Sequence, residues 1–295
     1  MNRDALNVAV RDQSVPVAAG QSLFEALREI GVSAIEAMVD AEGLLPYVRG
    51  AEEPPCSVGD SAAVSELKHR LAHEGVRVCA LLVATDFSGN DADRHVEWAT
   101  QVVQAARELG APVVRIDTFT ANKSLSPPQV RENLVRGIRR LLQQTAESGV
   151  DLGMENHGPI SNDPEFLDGV LAAVPDSRLG LTLDSGNFYW FGHPRGEVYQ
   201  LIEKYAPRTK HTHLKNINYP PALAERRREI GQDYKQYCCP LDEGSLDLKR
   251  MVDILRRAGY SGDFCIEDES LFKVAERDRI NVLRREVDAL RQALG

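Results

Sequence analysis

The stretch Val150-Asp151-Leu152-Gly153-Met154-Glu155-Asn156-His157-Gly158-Pro159 predicts both the fold and the place of the functional residues. A short, mostly apolar run is followed by a carboxylate, an amide and an imidazole, and Gly158-Pro159 then ends the strand. A parallel strand delivers catalytic groups to the carboxyl edge of its sheet in this way. Three later stretches repeat the pattern: residues 179–187, 209–216 and 262–268.

Strands and helices alternate along the chain, and eight strand-helix units can be counted. The strands are predicted at residues 6–11, 34–39, 76–83, 112–117, 150–154, 179–183, 209–216 and 262–266. The helices are predicted at residues 22–30, 62–73, 91–109, 127–148, 164–173, 197–205, 246–258 and 271–294. Such alternation implies a parallel sheet with right-handed crossovers. Eight units favour an α/β fold of the (β/α)8 TIM barrel type, with eight parallel strands inside an outer ring of helices.

Local signals support this division of the chain. Ser22 and Glu25 form a capping box at the start of the first helix, and Gly31 ends it. No G-x-G-x-x-G motif follows the first strand, which argues against a dinucleotide-binding fold. No composition shift interrupts the 295 residues, so we expect one barrel domain over residues 1–295. The long polar segment 216–240 predicts a lid or binding loop at the mouth.

Composition excludes several classes of partner. The formal net charge is −9 and the longest basic run is Arg226-Arg227-Arg228, so we expect no binding to nucleic acid or to an anionic membrane. The five cysteines are odd in number and form no C-x-x-C motif, which fits a reducing compartment. The N-terminus lacks the apolar region of a secretory signal, and no stretch approaches the roughly 20 apolar residues of a membrane span. We expect a cytoplasmic protein, with a homo-oligomer left open.

Four ligand-type residues stand at the ends of the last four predicted strands. They are Glu155, Asp184, His213 and Glu267. The carboxyl ends of neighbouring barrel strands converge on one mouth, so these side chains should meet there. Three carboxylates crowded together without a cation would repel one another, and a divalent ion removes that repulsion. Each residue alone could be a plain capping or turn residue, but four on consecutive strands favour a metal site.

The spacing along the seventh strand selects one of two histidines. Side chains alternate along a strand, so His211 and His213 point the same way. His213 lies nearer the carboxyl end and is the predicted ligand, with His211 one layer below and Lys215 at the rim. The set suits Mn²⁺, Mg²⁺ or Co²⁺, whereas a structural zinc site more often uses thiolates. We expect one divalent ion, Mn²⁺ first, with Mg²⁺, Co²⁺ or Zn²⁺ as alternatives.

Further polar residues are candidates for substrate binding at the same mouth. They are Glu36 and Asp117, at the ends of strands two and four, together with His157, Asn187, His211 and Lys215. For His157 and Asn187, simple loop packing is the competing interpretation. Trp190 and its aromatic neighbours are candidates for an apolar wall.

In these motifs the chain resembles the xylose isomerase-like TIM barrel superfamily, in particular its sugar phosphate isomerase/epimerase branch. The resemblance is specific over strands five to eight and covers the first half only by general pattern. The matching pieces are Glu155-Asn156-His157-Gly158, Leu183-Asp184-Ser185-Gly186-Asn187, His211-Thr212-His213-Leu214-Lys215-Asn216, Asp242-Glu243-Gly244-Ser245-Leu246-Asp247, and Gly259-Tyr260-Ser261-Gly262 leading to Ile266-Glu267.

The resemblance implies a ligand set and a chemistry. Glu155, Asp184, His213 and Glu267 would bind one divalent metal, often manganese, and the two glutamates would also exchange the substrate proton. Two positions depart from the family, which usually has His where Asn187 stands and often Asp where Asn216 stands. The first departure weakens any transfer of a second histidine role to that position. It also argues against the endonuclease branch, which needs further histidines for a multi-zinc cluster.

Three functions follow from these residues. The first is a metal-dependent isomerase or epimerase that acts on a ketose or related polyol carbonyl compound through an enediolate, with Glu155 and Glu267 as acid and base. The alternative is a lyase that dehydrates a keto-cyclitol or keto-sugar, as the family's keto-inositol and dehydroshikimate dehydratases do. The third is a non-catalytic sugar-binding module. The substrate, and whether it is phosphorylated, stays open at this stage.

Overall fold

The computed structural model describes residues 8–295, and its centre is a closed barrel of eight parallel strands. The strands are β1 (Val8–Arg11), β2 (Ala34–Val39), β3 (Arg77–Val83), β4 (Val113–Ile116), β5 (Asp151–Glu155), β6 (Leu179–Asp184), β7 (Thr209–Leu214) and β8 (Phe264–Ile266). They pair in the order β1-β8-β7-β6-β5-β4-β3-β2, which closes on itself. The predicted (β/α)8 barrel is thereby confirmed. Leu6 and Asn7, assigned above to the first strand, lie outside the described residues.

Helices surround the barrel. They are α1 (Leu23–Ile30), α2 (Ser61–Glu74), α3 (Ala92–Leu109), α4 (Pro127–Gln144), α5 (Gly158–Ser161), α6 (Pro164–Ala173), α7 (Ser185–Trp190), α8 (Arg195–Tyr205), α9 (Pro221–Ala224), α10 (Tyr234–Tyr237), α11 (Leu248–Arg257) and α12 (Glu276–Leu294). In the part of the chain that the structure describes, none of them has the length and apolar character needed to cross a membrane.

Capping residues and first-turn charges explain where the first and last helices begin or end. Ser22 and Glu25 form the expected capping box on α1, and Gly31 closes the helix with φ of 73°. The last helix begins at Glu276, later than the predicted residue 271, because Val274 and Ala275 are extended and separate it from a short 3-10 turn. Acidic residues in its first turn favour this start, since they face the positive end of the helix dipole.

The floor of the barrel interior is built from small side chains. Ala9, Ala34, Cys79 and Cys265 form a buried cluster of their own, separate from the large apolar core between strands and helices. Since side chains alternate along a strand, the residues two positions further on point the same way. Arg11 follows Ala9 and Glu267 follows Cys265, so charged groups stand directly above this apolar floor.

The segment 216–240 is folded against the barrel. Two short strands, Asn216–Ile217 and Cys238–Cys239, pair antiparallel and join its two ends. In its middle, the guanidinium of Arg228 lies 4.5 Å from the ring of Tyr189 and 4.2 Å from the ring of Tyr219. Arg228 is buried and also donates to the carbonyl oxygen of Tyr189 at 2.8 Å. The segment is therefore fixed at its middle as well as at its ends.

Candidate metal centre at the barrel mouth

The four predicted ligand residues meet at one point. Each of Glu155, Asp184, His213 and Glu267 is buried, and each offers a ligand atom within 4.8 Å of the others. Strand pairing places Asp184 directly beside His213, because the two are register partners across β6 and β7. Glu155 and Glu267 stand at the carboxyl ends of the flanking strands β5 and β8, which open on the same mouth.

His213 presents one ring nitrogen to the three carboxylates. Its Nε2 lies 2.8 Å from Oε2 of Glu36, so the carboxylate of Glu36 fixes the ring and its tautomer. Its Nδ1 lies 3.4 Å from Glu155 Oε1 and 3.4 Å from Glu267 Oε2, yet it makes no hydrogen bond to any described residue. A buried nitrogen without a hydrogen-bond partner, facing three carboxylates, fits a bound cation.

Glu36 and His211 lie beneath this set. Glu36 was predicted to end strand two at the mouth, but β2 continues to Val39 and the Glu36 side chain has no exposed surface. His211 is buried as well, with Nε2 3.3 Å from Glu36 Oε1, one layer below His213 as expected. Glu36 was predicted to contact the substrate at the mouth, but in the structure it lies below His213 and contacts the ring of that histidine.

Two arginine side chains, one buried and one partly exposed, flank the ligand carboxylates. Arg115 forms ion pairs with Glu155 and, at 3.0 Å, with Asp117. Arg11 forms an ion pair with Glu267. Neither arginine was assigned to the ligand site from the sequence, although Arg115 stands inside a strand whose other residues are all apolar. A charge in such a strand indicates an inward-facing ionic partner.

Lys215 is the third cation of the site. Its Nζ lies 3.0 Å from Asp184 Oδ2 and 3.1 Å from Glu267 Oε2, and its side chain is 6% exposed. Together, the carboxylates of the mouth outnumber its lysine and arginine side chains. The carboxylates are Glu36, Asp117, Glu155, Asp184, Glu267 and Glu269, and the cations are Arg11, Arg115 and Lys215. This excess of negative charge favours a divalent cation at the centre.

Burial and charge move the pKa values of this cluster in opposite directions. Burial opposes a charged imidazole, but the carboxylates of Glu36 and Glu155 outweigh it and raise the pKa of His213 to about 9. Burial also raises the pKa of Asp184 to about 6, although Lys215 acts against it. For Glu155, the charges of Arg115 and His213 overcome burial and hold the pKa well below its usual range. Without metal, His213 therefore carries two protons at neutral pH, and a metal must displace one of them.

A small cleft opens beside the ligand set, and we call it the mouth cleft. Its volume is about 200 Å³, and its lining residues are His157, Gly158, Asn187, Trp190, Lys215, Tyr234 and Glu269. Three predicted substrate contacts, His157, Asn187 and Lys215, lie here together. Asn187 also donates to Glu155 Oε1 at 3.0 Å, which links the cleft to the ligand set. Sequence reasoning missed Glu269, although its place in the loop directly after β8 was a signal that it lies at the same mouth.

Asp117 acts behind His157. The Nδ1 atom of His157 lies 3.1 Å from both carboxylate oxygens of Asp117, whose side chain is 7% exposed against 45% for His157. Burial works against the charged carboxyl, but Arg115 and His157 lower the pKa of Asp117 to about 2. The hydrogen bond that this carboxylate accepts from the His157 ring in turn raises the pKa of His157. Asp117 thus orients an imidazole that lines the cleft.

A larger groove lies elsewhere on the same side of the barrel, between the loops that follow β1 and β8. Its volume is about 990 Å³, and it runs past Val17, Leu271 and Ile280. The described residues that line it include none of the predicted site residues. The chemistry of the chain therefore points to the smaller mouth cleft.

Comparison with known proteins identifies similar chains. A family model described as "Xylose isomerase-like TIM barrel" matches residues 24–293. An inosose dehydratase of Glaesserella parasuis serovar 5 (strain SH0165) is 24% identical over 232 residues, or 72% of this chain and 77% of that protein. A zinc-bound structure of the IolI protein superposes with a TM-score of 0.72 at 17% identity, covering 97% of this chain and 99% of that chain. For a structure of L-ribulose 3-epimerase the TM-score is 0.67 at 16% identity, with 98% and 95% covered.

Proposed function

Because the chain belongs to the xylose isomerase-like TIM barrel family, we propose that it is a divalent-metal-dependent lyase that removes water from a keto-cyclitol or keto-sugar. One observation carries the choice. The mouth cleft is lined by His157, whose ring is oriented by Asp117, whereas Glu155 and Glu267 each form an ion pair with an arginine. A dehydration in which one group moves the proton in both steps needs only one such pair.

The metal in this proposal is held by Glu155, Asp184, His213 and Glu267. The unpartnered Nδ1 of His213 and the excess of carboxylates support this assignment. Manganese is the first choice for such oxygen and nitrogen ligands, with magnesium, cobalt and zinc as alternatives. When bound, a divalent ion would polarise the substrate carbonyl and stabilise the negative charge that develops on its oxygen.

His157 moves the proton in this proposal. Its Nε2 accepts the proton from the carbon next to the carbonyl, and the C–H electrons form an enolate. The enolate then expels the hydroxyl on the neighbouring carbon, which takes the same proton from the imidazolium and leaves as water. The product is an unsaturated ketone. Asp117 holds the ring in place, and a positioned acid–base group of this kind contributes roughly a hundredfold to ten-thousandfold.

Lys215 and Asn187 orient the substrate beside this pair. The ammonium of Lys215 lies in the cleft lining close to the ligand carboxylates and would stabilise an enolate oxygen. Asn187 keeps its amide nitrogen on Glu155 and leaves its amide oxygen to accept a substrate hydroxyl. Trp190 gives the cleft an apolar face against which a sugar ring can stack.

An isomerase or epimerase is the second candidate. The observation in its favour is that Glu155 and Glu267 both approach the same His213 nitrogen at 3.4 Å, so they flank the place where a substrate carbonyl would bind. In that reaction the two glutamates exchange the proton, as the family resemblance implies. A non-catalytic sugar-binding module is the third candidate, and it predicts binding without turnover.

Product mass separates these candidates. Metal-loaded protein is incubated in deuterated water with a keto-inositol and with a panel of ketoses, and the products are analysed by mass spectrometry. The lyase gives a product that lacks one water, whereas an isomerase or epimerase gives a product of substrate composition carrying deuterium. Sugar binding without either product supports the module.

Amide variants then locate the proton-transfer group. His157→Gln should lower turnover by roughly a hundredfold or more while metal affinity stays close to wild type. Glu155→Gln and Glu267→Gln should lower metal affinity and turnover together. His69→Gln, an exposed histidine on α2, is the matched control. Near-normal turnover in His157→Gln would return the acid–base role to the two glutamates.

A further inference from the structure

Glu269 lines the mouth cleft with one oxygen engaged. Its Oε2 accepts a hydrogen bond from the hydroxyl of Tyr234 and lies 3.3 Å from Nζ of Lys215. Both contacts fall on Oε2, so Oε1 remains available as an acceptor. The Glu269 side chain is 43% exposed, against 6% for Lys215. A half-exposed carboxylate in a cleft, held at one oxygen, is arranged to bind a hydroxyl group.

Two hydrogen bonds fix the residues that lead into Tyr234. Gly231 donates its backbone N–H to the carbonyl of Trp190 at 2.9 Å, and the hydroxyl of Tyr219 donates to the carbonyl of Gln232 at 2.8 Å. The first bond holds the start of α10 against the end of α7, and the second ties it to the beginning of the segment 216–240. Tyr234 is therefore positioned before a substrate arrives, and it holds Glu269 in one orientation.

The charge of Lys215 determines what the cleft accepts. Among the described residues that line the mouth cleft, Lys215 alone is a lysine or arginine. Its Nζ lies within 3.3 Å of the carboxylates of Asp184, Glu267 and Glu269. In the proposed function a divalent ion engages the first two of these carboxylates. Glu269 then remains beside Lys215, and its negative charge opposes a phosphate that approaches the lysine from the cleft.

We propose that Glu269 is a specificity residue that accepts a hydrogen bond from a substrate hydroxyl and excludes substrates with a phosphate or carboxylate at that place. The inference rests on the proposed function, since it takes the mouth cleft as the place where the substrate binds. It narrows the substrate to an uncharged keto-polyol. A fixed carboxylate that meets a substrate anion at contact distance should weaken binding of that substrate by roughly tenfold to a hundredfold.

Binding measurements on Mg²⁺-loaded full-length protein test this proposal. A keto-inositol, D-fructose 6-phosphate and inorganic phosphate are titrated by calorimetry into wild type, Glu269→Gln and the control Glu229→Gln, an exposed carboxylate on the segment 216–240. Wild type and the control should bind the keto-inositol at least roughly tenfold more tightly than either phosphate. Glu269→Gln should bind both phosphates at least roughly tenfold more tightly than wild type, because Lys215 loses its counterion.

Tyr234→Phe is a second variant, and it should also lower the preference of the protein for the keto-inositol over phosphate. It removes the hydroxyl that holds Glu269 and should weaken binding of the keto-inositol by at least roughly tenfold, the effect of losing one hydrogen bond to a charged group. Equal binding of phosphate and keto-inositol by wild type, failure of the keto-inositol to bind, or an unchanged ratio in Glu269→Gln would each overturn the inference.

The outcomes also separate this inference from the proposed function. If Glu269 excludes phosphate as described but no keto-polyol loses water, the lyase proposal fails and the inference stands. If a phosphorylated keto-sugar is dehydrated with equal efficiency by wild type and Glu269→Gln, the lyase proposal stands and the inference fails.

Discussion

Glu36→Gln should change the pH dependence of metal binding more than its strength at neutral pH. The carboxylate of Glu36 bonds Nε2 of His213 and is the largest attractive charge behind the raised pKa of that imidazole, about 9. A metal ligand must be neutral at the binding nitrogen, so metal and proton compete for Nδ1. Removing the charge of Glu36 lowers the pKa of His213 and weakens that competition, while it also makes His213 a less basic ligand.

The raised pKa of His213 sets how strongly metal affinity depends on pH. A histidine with a pKa of about 9 must lose a proton at pH 7, which costs about 2.7 kcal/mol at roughly 1.4 kcal/mol per pH unit. Wild-type affinity should therefore rise about tenfold per unit between pH 7 and 9. Below pH 6 the slope steepens, since the pKa of Asp184 is about 6. Loss of the supporting carboxylate typically weakens metal binding by roughly 10- to 100-fold. The metal affinity of Glu36→Gln should therefore be lower than that of wild type at pH 9 and approach it near pH 7.

Calorimetric titration with Mg²⁺ at a series of pH values, in buffers of different ionisation enthalpy, measures both affinity and protons released. Wild type should release about one proton per metal near pH 7.5, and Glu36→Gln close to none. Glu42→Gln, an exposed carboxylate in the loop after β2, is the matched control. A wild-type affinity that is flat from pH 7 to 9, or a loss in Glu36→Gln by the same factor at every pH, would refute the reasoning.

Three further expectations concern the metal-ligand set, the segment 216–240 and the buried carboxyl of Glu286. Asp184→Ala should abolish binding of about one divalent ion per chain, whereas His211→Asn should be milder; metal analysis of the purified variants checks both, and equal loss would mean that the wrong histidine was assigned. Arg228→Met should lower the free energy of unfolding by roughly 2–4 kcal/mol, because it leaves buried carbonyls unpaired, while the exposed Arg226→Met should stay within about 0.5 kcal/mol in denaturant titrations. Burial raises the pKa of Glu286 well above its usual value, so its charged form destabilises the fold as pH rises above about 4.3; Glu286→Gln should therefore unfold at a higher temperature than wild type at pH 8 and at a similar one at pH 4, and an equal shift at both pH values would contradict this.

Much of the fold was predictable because its determinants are local. Strand and helix periodicities, the capping box at Ser22 and the closing Gly31 depend on residues a few positions apart, and each is found in the structure. The barrel then follows from eight repeated units, since parallel strands with short connections have few ways to close. The convergence of the residues at the ends of β5 to β8 was predictable for the same reason: strand ends and side-chain alternation are properties of the chain.

The remaining features depend on contacts between residues far apart in sequence. Glu36 reaches His213 across 177 positions, and a register shift between Ile35 and Glu36 changes the height of that carboxylate in the barrel. Sequence periodicity cannot report such a shift, because it arises from how two strands fit together. Tyr234 lines the mouth cleft on a segment that Arg228 holds against the rings of Tyr189 and Tyr219, and this contact joins residues far apart in sequence. The sequence by itself therefore determined the barrel and the residues at its mouth, and the tertiary structure decided which of them face the cleft and which support them from below.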